Sequence, residues 1–257
     1  MRACLLIALL LCVPCQSLHA ADATSNETVA TKIVQDVLQN LRSDGFQVRM
    51  QVAVTNADRR IHPPLKVTVI GERKAAQQRL LVRGISPQGI RNLTFAARAK
   101  PGLPLLALTS DTHGETDASD PFSYLFDSGI TLWDLMTPWW RWPEQQMIGN
   151  DDVDGHASVL IRSRIRSSSS SIAEVLSYVD QEEAFSWKTE IFDHNHRLLR
   201  TISVKRALRS EAGVLAAKKM VIDLPGKSSS DIQVYSGDEH YHITPETFAL
   251  IDRYGHP

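Results

Sequence analysis

Cysteine is the first scarcity. The 257-residue chain has three, Cys4, Cys12 and Cys15, all at its N-terminal end. Disulfide, zinc-thiolate and thiol-nucleophile chemistry in the body of the protein is excluded by that inventory. An excess of one charge is missing too. Its 28 basic and 29 acidic residues nearly balance and no dense basic run occurs, which argues against nucleic acid as a partner. Beyond the N-terminus, no apolar run approaches the ~20 residues that cross a bilayer as a helix. Nucleophile elbow, Walker A loop, His-Glu-x-x-His pair and dinucleotide glycine fingerprint are all lacking, so no signature of an enzyme is present and none of a cofactor. No Gly/Pro/Ser-rich linker divides the chain, and residues 21–257 read as one domain large enough to bury a substantial core.

What is present begins with a secretory signal. Arg2, an apolar run from Ala3 to Val13, Pro14, and Leu18-His19-Ala20 ahead of Ala21 have its tripartite form, so residues 1–20 are expected to be removed on export. Cys15 raises the lipoprotein alternative, but Pro14 stands where such signals carry a small residue. Cleavage after Ala20 takes away every cysteine and a single charge, Arg2.

Residues 28–42 place Val29, Ile33, Val37, Leu38 and Leu41 at spacings of three and four, which predicts a helix with Ser25 or Asn26 as its cap. The period then changes to two. Phe46, Val48, Met50, Val52 and Val54 alternate with polar residues, as on a strand with one buried face. Similar runs at 65–70, 79–85, 90–97, 103–108, 157–165, 173–179, 185–192, 198–205, 214–222 and 231–236 are separated by turn signals too short for βαβ crossovers. Between them, 109–145 reads as a long insertion: an acidic loop, then the segment 126–146 holding Trp133, Trp139, Trp140 and Trp142, four of the five tryptophans. Thr131 or Ser128 can cap a short helix there, stopped by Thr137-Pro138, with Trp133 and Met136 facing the sheet. After it, Trp139 and Trp140 are expected in an extended stretch, pointing opposite ways. Pro245 to Ile251 predicts a closing helix or turn. The sum is an α+β fold: a strongly curved antiparallel sheet of about 10–11 strands, an open half-barrel, with an N-terminal helix and short helices on its concave face. That face is a filled core or an apolar pocket.

Four other patterns carry weaker chemistry. His194/His196 and His240/His242 have i, i+2 metal-pair spacing, but both sit where polar surface residues are ordinary. Asn150, Asp152 and Asp154 begin like a calcium loop whose twelfth position is Ile161 instead of a carboxylate, so no metal is expected. Asp111, His113, Glu115, Asp117 and Asp120 leave a hydrolase site in the acidic loop as a minor alternative. Arg162, Arg164 and Arg166 share one strand face, read as solvated.

The stretch from Phe126 to Leu135 (FDSGITLWDL) is similar to a conserved-type segment of the periplasmic outer-membrane lipoprotein-sorting family, relatives of the carrier LolA. Asp154-Gly155, Leu176-Ser177-Tyr178-Val179-Asp180, Ile191-Phe192-Asp193 and Ile243-Thr244-Pro245-Glu246-Thr247-Phe248 follow in the family's order. The order Asp127-Ser128-Gly129 and the lack of aromatics in 103–108 mark a diverged member. The resemblance implies a non-enzymatic periplasmic carrier that shelters acyl chains of a lipid or lipoprotein, without a cofactor. Peripheral membrane contact and an inner-membrane transporter of the resistance-nodulation-division type are the further partners it implies. A second reading on the same fold is an envelope sensor or adaptor acting through protein contact. Candidate cavity or lid residues are Val48, Met50, Val52, Leu81, Phe95, Trp133, Leu135, Met136, Trp139, Trp140, Trp142 and Trp187.

Overall fold

The computed structural model describes residues 18–254 except 112, 114 and 166–169, with side chains from Asn26 onward. The expected signal peptide lies almost wholly outside the described residues, as do the cysteines and Arg166. Helix α1 (Leu18–Asn40) is longer than the predicted one. Ser25 and Asn26 lie inside it and not at its start, because the alanine-rich stretch before them extends the helix. Its buried stripe is Ala30, Ile33, Val34 and Val37, whereas Val29 is exposed.

Six strands follow: β1 (Ser43–Asn56), β2 (Leu65–Arg73), β3 (Gln78–Ser86), β4 (Thr94–Ala99), β5 (Leu106–Ser110) and β6 (Thr116–Ala118). After α2 (Leu132–Met136) and a 3-10 turn (Pro138–Arg141) come β7 (Glu144–Val153), β8 (His156–Arg164), β9 (Glu174–Asp180), β10 (Phe185–Phe192), β11 (Leu198–Arg209), β12 (Leu215–Leu224) and β13 (Ser228–Asp238). Helix α3 (Ala249–Arg253) closes the fold.

All thirteen strands form one antiparallel sheet, in the order β6-β5-β4-β3-β2-β1-β13-β12-β11-β10-β9-β8-β7. The first and last strands therefore meet at its centre, and β6 and β7 are its open edges. The two strands beyond the expected number are those edges. β6 is three residues long, and β7 reads GluGlnGlnMetIleGlyAsnAspAspVal, with no apolar alternation to announce it. Asp154-Gly155, both at positive φ, make the two-residue β7–β8 turn in place of a calcium loop.

Neighbouring strand residues sort the core onto two faces. Leu80, Ala97 and Ala107 join Met50, Val52, Leu132 and Met136 on one, whereas Leu81, Ala96 and Leu108 pack under Phe248 and Ile251 on the other. The first face is concave. On its β8–β10 half, α1 packs Ile33, Val34 and Val37 against Ile161, Val175 and Ile191 together with Trp133, Trp139 and Trp140. Helix α3 differs from expectation by covering the convex face.

Candidate functional site

Between α1, the tryptophan segment and the middle of the sheet lies a cavity of about 1660 Å³, larger than the ~300–1,000 Å³ typical of sites for small molecules. Its floor comes from β1 (Phe46, Val48, Met50) and from Ile202, Met220 and Val234 of the strands beyond it. Val37 and Leu41 of α1, Leu135 of α2, and Trp139 and Trp140 form its roof. The alternation of β1 explains the floor: every second side chain faces the concave side, and Phe46 and Val48 are left half-buried because, among the described residues, no side chain fills the space above them.

The roof is held in place by short-range chemistry. Thr131 Oγ1 accepts from the Asp134 amide at 3.1 Å, and Asp134 Oδ2 accepts from the Thr131 amide at 3.0 Å, a reciprocal cap that fixes the start of α2. Arg200 reaches across from β11 and donates to the same carboxylate oxygen at 2.7 Å. Burial pushes the Asp134 carboxyl up, against the pull of Arg200 and Thr131. Asp134 Oδ1, Arg200 Nε and Trp139 Nε1 are buried without a partner among the described residues. At the other end of α2, Thr137 takes a left-handed conformation (φ 47, ψ 50) and turns the chain into the 3-10 turn.

That turn overturns the expected extended stretch. Trp139 and Trp140 do not straddle a strand; both are buried and both line the cavity. Side chains a third of a turn apart on a tight helix can both be inward when one face meets α1 and the other the sheet. The rings form a continuous stack, with Trp133 at 4.9 Å from Trp139 and 6.1 Å from Trp142, and Trp139 at 6.3 Å from Trp140. Gln145 of β7 fastens the turn, its Nε2 donating to the carbonyls of Trp139 (2.9 Å) and Trp142 (3.0 Å) while its Oε1 accepts from Ser163 at 2.7 Å.

Of the sequence-designated residues, Val48, Met50, Leu135, Trp139 and Trp140 line the cavity together. Val52, Phe95 and Met136 share the concave face but belong to the packed core beside the cavity, Phe95 edge-on to Phe126 at 5.1 Å. Trp133 is core and Trp142 is half-buried against it. Leu81 is not a cavity residue: its place in the alternation of β3 turns it to the convex face, under α3. Trp187, at an irregularity of the β9–β10 pairing, stacks on His156 at 3.6 Å, away from the cavity.

The histidine pairs are exposed, with His194 Nε2 2.8 Å from the Ser170 carbonyl and His240 near Glu211. Among the described residues no group of His, Asp or Glu is disposed to hold a metal. In the acidic loop Asp111 accepts from the amides of His113 and Glu115 and serves as a turn former. Arg162 and Arg164 are engaged by Gln146 and Glu174.

Sequence reasoning missed Arg73. It ends β2, its guanidinium lies 5.3 Å above the Phe46 ring, and its Nη2 donates to the Leu135 carbonyl at 3.0 Å. Gly71, opposite Phe46 in the β1–β2 ladder, makes room for that ring: a Cβ there would stand 2.5 Å from it. Burial, then the like charge of Arg141, pushes the Arg73 guanidinium down to about 10.

An open, curved antiparallel sheet with an apolar concave face under an N-terminal helix and a short lid is the architecture of LolA-like folds, and this chain has that fold. The likeness is to an outer membrane lipoprotein-sorting protein domain from Vibrio parahaemolyticus (10% identity, TM-score 0.77, covering 87% of this chain and 97% of that one). A DUF1329 family protein from Desulfovibrio piger (10% identity, TM-score 0.79, 88% and 98%) and a LolA superfamily protein from Nitrosomonas europaea (15%, 0.67, 87% and 98%) share the fold. No curated protein matches by sequence. A family model described as an uncharacterized protein matches residues 111–249, more than half of the chain, and the chain belongs to that family.

Proposed function

We propose that the protein is a periplasmic carrier that takes acyl chains of a lipid or lipoprotein into the cavity under α1 and the tryptophan lid and hands them on within the envelope, by reversible burial and without covalent chemistry. The observation that carries this reading is the large apolar cavity, about 1660 Å³, with half-buried Phe46 and Val48 on its floor and Trp139 and Trp140 in its roof. At about 0.8 kcal/mol per methylene, burying ten methylenes would contribute roughly 8 kcal/mol before the costs of ordering the chain. Among the described residues no helix is long and apolar enough to cross a membrane.

Protein purified without strong detergent should carry lipid detectable by native mass spectrometry, and delipidated protein should bind a fluorescent fatty-acid probe with a change in tryptophan emission. Placing a charge on the floor, Val48→Asp, should weaken probe binding at least about tenfold, since the buried carboxylate has no partner there. Ligand-free protein that also ignores the probe would overturn the reading.

A further inference from the structure

One half-buried cation of the cavity wall has no carboxylate of its own among the described residues. Asp134, the buried carboxylate of the roof, is matched by Arg200, and Glu72, on the other face of β2, by Arg79 and Lys74. Arg73 has no such match. Among the described residues no carboxylate lies within ion-pair distance of it, and one carbonyl, that of Leu135, accepts from it. Arg73 lines the cavity, and its guanidinium is a donor fork suited to oxyanions.

Two more arginines stand near it. Arg141, at the end of the tryptophan turn, is close enough for its charge to oppose that of Arg73, and Arg42, after α1, opposes Arg141 in turn. Arg42 lines the cavity. Neither makes an ion pair among the described residues. Ser43, next to Arg42, pairs with Arg73 across the β1–β2 ladder, so these two arginines start from neighbouring backbone at one end of the cavity, and an anion between them would relieve their repulsion.

We propose that Arg73, with Arg42 beside it, forms the anion-binding end of the cavity and selects amphiphiles with a negatively charged headgroup, the phosphate of an anionic phospholipid being the ligand chemistry that fits. This proposal rests on the carrier reading. The acyl chains lie over the floor made by β1, and the headgroup oxygens take the free Arg73 donors where the roof meets the edge of the sheet.

The test compares two lysolipids with the same acyl chain, lysophosphatidylglycerol (anionic) and lysophosphatidylcholine (zwitterionic), by displacement of the fluorescent probe from delipidated full-length protein. Wild type should bind the anionic one about tenfold more tightly or better, and Arg73→Gln should bring the ratio to within about twofold. Because Arg73 also holds the Leu135 carbonyl, Arg42→Gln is the second variant; the Arg42 side chain lines the cavity, is exposed and makes no hydrogen bond among the described residues, and its loss too should lower the ratio. Arg91→Gln, exposed and away from the cavity, should leave the ratio unchanged. Inorganic phosphate alone should displace nothing at micromolar concentration, and phosphate competing as well as the lysolipid would overturn a lipid headgroup as the occupant. Equal affinities in wild type, or a ratio that survives both variants, would overturn the anion site while leaving the carrier reading standing. Failure of both lysolipids to bind would remove the carrier reading, and the anion site with it.

Discussion

At the scale of single residues, charged side chains join the apolar ones in holding this sheet to its helices. Glu72 is buried on the convex face, where Arg79 Nε donates to it at 2.8 Å and Lys74 stands at 3.0 Å; Arg79 then reaches Asp252 of α3 at 2.5 Å and covers the Phe248 ring at 4.5 Å. Burial opposes ionisation of Glu72, but the hydrogen bonds and charges of Arg79 and Lys74 win and hold its carboxyl below the usual range. A carboxylate whose folded value is depressed contributes stability above the ordinary value, near pH 4, and that stability is lost as pH falls through the folded value. Melting temperature followed from pH 6 to pH 3 should therefore fall more steeply in wild type than in Glu72→Gln, which gives up the contribution at every pH. Parallel curves would show that the carboxylate titrates alike in the folded and unfolded chain.

At the scale of elements, the strands with one wet and one dry face announce themselves. The alternation from Phe46 to Val54 and the run 185–192 coincide with β1 and β10, because a half-buried strand has to place apolar residues at every second position. Thr131 and Asp134 likewise mark the start of α2 with their side-chain chemistry. β7 was not legible, since an edge strand pairs through its backbone and its side chains are free to be polar. Neither was the tryptophan turn: adjacent tryptophans look the same in an extended and in a 3-10 backbone, and what decides between them is Gln145, supplied by that unannounced strand. The cavity floor was legible at Val48 and Met50, whereas Leu81 was assigned to it without a register and Arg73 showed no local pattern at all. Because Gln145 is buried and serves two carbonyls of the turn, Gln145→Leu should cost about 1–3 kcal/mol in urea unfolding. Time-resolved anisotropy of tryptophan should report a looser lid in the same variant, and an unaltered lid would assign the clasp to ring packing alone.

At the scale of the whole molecule, the strand order divides the sheet into a half made by β1 to β6 and a half made by β7 to β13, joined along β1 and β13 and bridged above by the tryptophan lid. Backbone protection should follow that plan. Amide hydrogen exchange is expected to be slowest in β1 and its two partners, β2 and β13, and fastest in β6, which is short and paired on one side; β7, also an edge but packed against α1, should fall between them. Rapid exchange through β1 would mean that the halves open as separate units. The meeting of first and last strands also governs when the protein can begin to act. A chain that emerges amino-terminus first presents the apolar face and one unpaired rim of β1 long before β13 is available to cover that rim, so a newly made molecule passes through a stage with a sticky, half-built trough. The cavity cannot close until the final strand arrives, and until then the β1 rim is open to pairing with another copy of the chain.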